Sequence, residues 1–290
     1  MQTRIRIAAF AGALAVAAGG AALGGAAMDP VHDEETTSGH GHGEDAGHEG
    51  GHASAPAEAA GLAVEHGGLR LQVLEAPGRA GEAGALRFRI LGADGRAVRE
   101  FDPETGGIPL HLIVVRRDMT GFQHLHPRMA PDGTWSIRLR LPTGGSHRAF
   151  ADVTVAGRPH TLGVDLAAAG EVRPRALPAP ARVARTGRHA VRLDHGPLRA
   201  GVPADLSFSV TTASGAPAAL EPYLGAGGHL VALREGDLGY LHVHPEEVAG
   251  GAGRVAFGAT FPSAGRYRLF LQVQRGGRVL LAPFTVEVGR

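Results

Sequence analysis

The feature that most restricts this chain is that it is written twice. "LHLIVVRRDMTGFQHLHP" at 110–127 lies over "GHLVALREGDLGYLHVHP" at 228–245, and "LPTGGSHRAFADV" at 141–153 lies over "FPSAGRYRLFLQV" at 261–273. "LRFRI" at 86–90 likewise matches "LSFSV" at 206–210. Such self-similarity means two copies of one folding unit. Within each copy short runs alternate apolar and polar residues, among them "LRLQVLE", "TWSIRLRL", "ADLSFSV" and "RYRLFLQVQ", and Gly, Pro and Asp separate them. Period-two alternation broken at turn residues predicts antiparallel strands in a sandwich. The expected fold is all-β: two tandem immunoglobulin-like antiparallel β-sandwiches, repeat 1 at 62–170 and repeat 2 at 188–290. The Pro- and Arg-rich stretch 171–187 reads as a stiff linker between them.

What precedes residue 62 has a different character. Residues 1–28 carry Arg4 and Arg6 ahead of an apolar run from Ile7 to Met28. That pattern suits either a cleaved signal peptide or an apolar helix retained as a membrane anchor, and both place the rest outside the cytoplasmic membrane. Residues 29–61 are rich in Gly, His and acidic residues with no apolar period, so they are expected to be disordered. The chain has 290 residues, a net charge of +1 and no cysteine. The charge gives nucleic acid no reason to bind, and the absent thiols exclude disulfides and thiolate metal sites.

The histidines are where the duplication becomes chemical. Each copy contains His-x12-His-x-His-Pro: His111, His124 and His126 in the first, His229, His242 and His244 in the second. Residues two apart on a strand face the same side. "RRDMTG" and "REGDLG" hold the residues of a hairpin turn. If Val115 pairs with Phe122, then Ile113 lies opposite His124 and His111 opposite His126, where Cβ atoms are about 4.5–5.5 Å apart. The same register sets His229 opposite His244. Three imidazoles on one face could converge on an ion at about 2.0–2.1 Å. The intervening Leu112, Val114 and Leu125, and Leu230, Ala232, Leu241 and Val243, would pack the opposite face on the core. A slip of one residue would send His111 to the wrong side.

Imidazoles with oxygen donors and no thiolate suit copper(II) or zinc. Asp102 and Glu221, each just ahead of the first histidine of its set, are weaker candidate ligands, and Asp152 faces Gln272 in the alignment of the copies. The acidic tail adds His40, His42, His48 and His52 as a flexible chelating stretch. The plainer reading is that strand histidines are partly buried polar residues bonded to their neighbours, copied together with the rest of the unit.

At "HLIVVRRD…GFQHLHP" and "GHLVALREGDLGYLHVHP" the chain resembles a group of actinobacterial secreted or membrane-anchored proteins of heavy-metal-binding type, which share the apolar N-terminus and the Gly/His-rich stretch. The resemblance implies an extracytoplasmic location and a metal ligand, but no specific activity. The expected function is therefore non-enzymatic binding or buffering of copper or zinc, with one three-histidine site per repeat or one site shared between them. Two alternatives stand beside it: an envelope interaction module that contacts other envelope proteins with structural histidines, and a zinc-dependent hydrolase.

Overall fold

The computed structural model describes residues 60–103, 106–241, 243–246 and 252–290, with 244–246 as backbone. The expected N-terminal helix, and the tail with His40, His42, His48 and His52, lie outside the described residues. Among the described residues no helix is long and apolar enough to cross a membrane.

Repeat 1 runs through β1 (Glu65–His66), β2 (Leu69–Glu75), β3 (Ala83–Leu91), β4 (His111–Arg116), β5 (Gln123–Leu125), β6 (Arg128–Met129), β7 (Trp135–Arg140), β8 (Gly145–Val155) and β9 (Arg158–Ala168). Repeat 2 follows with β10 (Val183–Thr186), β11 (His189–Asp194), β12 (Pro203–Thr211), β13 (His229–Arg234), β14 (Tyr240–Leu241), β15 (His244–Glu246), β16 (Arg254–Thr260), β17 (Gly265–Arg275) and β18 (Arg278–Val288). In repeat 1 a sheet of order β1-β2-β3-β7-β6 opposes one of order β5-β4-β8-β9. Repeat 2 reproduces this with β10-β11-β12-β16-β15 and β14-β13-β17-β18. The two repeats are immunoglobulin-like sandwiches, as the alternation predicts. At the start of β17 the Tyr267 hydroxyl donates to the Ser263 carbonyl oxygen at 3.0 Å, a tyrosine corner of the kind such sandwiches use. His147, at the matching position of repeat 1, is fully buried.

Each repeat has its own core. Leu86, Phe88, Leu112, Val114 and Trp135 fill the first, while Leu206, Phe208, Leu230, Ala232 and Phe284 fill the second. A third core lies between the repeats, which belong to one compact unit. Ile113 and Val115 of β4, Phe150 of β8, Val231 and Leu233 of β13 and Phe270 of β17 pack together there, fully or nearly fully buried. Phe122 stacks on Phe270 with ring centroids 4.2 Å apart. Each fully buried aliphatic or aromatic side chain of this kind contributes about 1.5–3 kcal/mol. β4 and β13 therefore bury apolar side chains on both faces, one toward the home sandwich and one toward the other repeat. All six residues of β4 are buried. The histidine-bearing face of β4 closes against the second copy. Met119 and Leu238, in the β4–β5 and β13–β14 turns, take left-handed φ values of 62° and 65° and send their side chains into this third core. Left-handed backbone is costly for a residue with a Cβ.

Two boundaries shift from their expected places. Val183–Thr186, read as the end of the linker, forms β10 and pairs with β11, because its side chains alternate like the strand it joins. Ala60 and Gly61, read as the end of the disordered stretch, are held as a strap. Ala60 exchanges two backbone hydrogen bonds with Tyr240 of repeat 2, at 2.9 and 3.0 Å, and the Gly61 amide donates to the Thr161 carbonyl of repeat 1. The guanidinium of buried Arg148 donates to the carbonyl oxygens of Gly61 and Leu62. A Cβ at Gly163 would stand 1.9 Å from the Gly61 oxygen, so only glycine admits the strap here.

Candidate metal centre

β4 and β5 adopt the register that brings the histidines together. Ile113 pairs with His124, and Leu112 with Leu125, so His111 and His126 continue the same ladder past its last hydrogen bond. The consequence is proximity. The His111 and His126 rings are 5.2 Å apart between centroids, and the His124 and His126 rings 4.8 Å. His111 Nδ1 and His124 Nε2 are 2.8 Å apart.

Repeat 2 contributes to the same place. His229 sets its ring 4.4 Å from that of His124 and 5.2 Å from that of His111. His111, His124 and His229 each offer a nitrogen within 4.8 Å of the others. The described cluster thus draws two histidines from one repeat and one from the other, in a group that straddles the third core.

The remaining candidates are placed differently. His242 lies outside the described residues. His244 departs from the expected hairpin: its backbone pairs with Gly258 of β16, in the sheet opposite β13. Pro245 follows it, and a residue without an N–H suits the edge strand β15. The carboxylates expected as weaker ligands are spent elsewhere. Asp102 accepts from the Gly157 amide in the β8–β9 turn. Glu221 accepts from the Gly276 and Gly277 amides in the β17–β18 turn and from Gln274.

Two residues that spacing did not single out as ligands surround the cluster. Across the β4–β8 ladder His111 faces Asp152, and across β13–β17 His229 faces Gln272. Gln272 Oε1 lies 2.7 Å from His124 Nδ1. Asp152 accepts from the hydroxyls of Thr161, at 2.8 Å, and Tyr240, at 3.1 Å. Both are buried. Their signal in the sequence was the alignment of the copies, which sets Asp152 over Gln272. Two different polar residues at an otherwise apolar strand position mark a place where the two faces of the molecule meet.

The electrostatics favour neutral rings. Burial, with the neighbouring His111 as a second cause, lowers the His124 pKa to about 3, against a smaller opposing effect of the Gln272 hydrogen bond. Burial also lowers the pKa of His126, whose Nε2 is enclosed and finds no partner among the described residues. A metal ligand has to present such an unprotonated nitrogen. Four ligands about 2.0–2.1 Å from an ion are about 3.3 Å from one another. Separations from 2.8 Å to at most 4.8 Å bracket that value, so small side-chain rotations would admit an ion.

The domain of unknown function DUF8832 matches residues 64–170 and again 184–290. No curated protein is detectably similar in sequence. Among solved structures, the Escherichia coli adhesin FdeC is 17% identical over 81% of this chain and 66% of its own, with a TM-score of 0.26. Invasin, a bacterial integrin-binding protein, is 13% identical over 76% of this chain and 39% of its own, with a TM-score of 0.25. A chimeric titin Z1Z2 tandem is 13% identical over 76% of this chain and 98% of its own, with a TM-score of 0.20. The chain spans just under two thirds of the adhesin and well under half of invasin.

Proposed function

We propose that this chain, which belongs to the DUF8832 family through both of its repeats, is a non-enzymatic extracytoplasmic binding module that holds one copper(II) or zinc ion between its repeats. The supporting observation is the convergence of His111, His124 and His229 from two separately folded sandwiches. A site built from both repeats needs them docked, and the apolar core beside it docks them without an ion. Preorganisation of that kind lowers the cost of capture. A hydrolytic ion would need an open coordination position reached by water and substrate. His111 is only 3% exposed, which favours storage or transfer over turnover. The histidine-rich tail would add loose sites outside the folded part, and residues 1–28 would direct or tether the chain to the membrane.

One observation favours a second reading. Gln272, His124 and His111 form a continuous hydrogen-bonded chain that satisfies three ring nitrogens without an ion. On that reading the histidines are a polar seam of the interface, and the module binds another envelope protein through a different surface.

Metal titration of the full chain separates the two. With His32, His40, His42, His48 and His52 changed to Ser to silence the tail, the protein should take up one equivalent of copper(II) or zinc. His124→Ala and His229→Ala should each weaken uptake by about 100-fold or more, as expected when a ligand rather than an outer-shell partner is lost. Uptake indifferent to both substitutions, in variants with native circular dichroism, would leave only the seam.

A further inference from the structure

We propose that Gln272 is the positioning residue of this centre: by accepting a hydrogen bond from the Nδ1–H of His124 it makes Nε2 the nitrogen turned toward the metal. The inference rests on the metal reading above and adds which atom binds and what chooses it. Gln272 belongs to repeat 2, yet its amide oxygen meets a histidine of repeat 1 at 2.7 Å. It is 8% exposed, so water does not compete for the contact. On its own sheet it is paired with His229, so one cross-strand pair of repeat 2 supplies both a ligand and the group that orients another.

The geometry leaves two proton arrangements. If the amide oxygen faces the ring, His124 carries its proton on Nδ1, and Nε2 offers a lone pair into the space shared with His111 Nδ1, 2.8 Å away. If the amide nitrogen faced it instead, Nδ1 would hold the lone pair and Nε2 a proton, and the cluster would be closed to a cation. Metal-binding histidines almost always give their second N–H to an oxygen, which fixes the tautomer and sets ligand basicity. Asp152 occupies the corresponding position of repeat 1 and also reaches across, accepting from Tyr240 of repeat 2. Where repeat 1 has a carboxylate, repeat 2 has a neutral amide. The amide keeps His124 oriented but leaves it less basic than a carboxylate partner would.

The test uses the full chain with the silenced tail and two variants, Gln272→Leu and Gln272→Glu. In metal-free protein, nitrogen-15 NMR of the His124 ring should show the Nδ1–H form in the parent and in Gln272→Glu, and a mixture in Gln272→Leu. With cobalt(II) as probe, Gln272→Leu should bind about 10–100-fold more weakly and shift the visible ligand-field bands. Gln272→Glu should bind at least as tightly as the parent, which shows that a loss in the leucine variant comes from the missing acceptor and not from damaged packing. A parent that binds no cobalt(II) overturns the metal reading and this inference together. A parent that binds cobalt(II), but whose His124 carries its proton on Nε2, overturns the role of Gln272 alone. So does a leucine variant with unchanged affinity and spectrum, or a glutamate variant as weak as the leucine one.

Discussion

At the scale of single residues, the buried imidazoles make stability depend on pH in a definite direction. His124 titrates at about 3 in the folded chain, whereas an unfolded histidine titrates near 6.5. Between those values the unfolded chain binds a proton that the folded chain refuses, so acid draws the equilibrium toward unfolding. Stability of metal-free protein should be complete above about pH 6.5 and fall by roughly 1 kcal/mol per pH unit toward pH 3. Urea midpoints measured across that range check it, and His124→Gln should flatten the slope. Of this site, the hairpin register that sets Ile113 opposite His124, and so His111 and His124 on one face, was legible in the sequence, because twelve residues and a turn fix it. The arrival of His229 was not, since alternation reports which side of a strand a residue occupies and says nothing of what covers that side. Gln272 was visible only as a mismatch with Asp152.

At the scale of elements, the informative strands are β4 and β13. "HLIVV" and "HLVAL" are apolar on both faces, which is how a strand reads when it is covered on both sides. That run was the available sign of the inter-repeat core, and the regular alternation of the other strands masked it. Removing an aromatic from that core tests its weight. Phe270→Ala deletes a ring that is 3% exposed and stacked on Phe122, and should cost about 3–5 kcal/mol in chemical denaturation. If the repeats merely touched, the cost would be well under 1 kcal/mol. The strap and β10 escaped the sequence reading for the same reason in both cases: two to four residues are too few to show a period.

At the scale of the whole molecule, the third core joins two sandwiches that could otherwise melt apart. The parent should therefore unfold in one calorimetric transition, with agreement between van't Hoff and calorimetric enthalpies. Val231→Asp, which places a charge in the core that Val231 shares with Ile113 and Phe150, should split the trace in two. The order in which the chain is made adds a further consequence. Domains emerge and fold from the N-terminus onward. Ala60, however, is latched by Tyr240, a residue made 180 positions later. Repeat 1 can seat Gly61 and Leu62 on its own through Thr161 and Arg148, while the Ala60 latch shuts only when the second sandwich arrives.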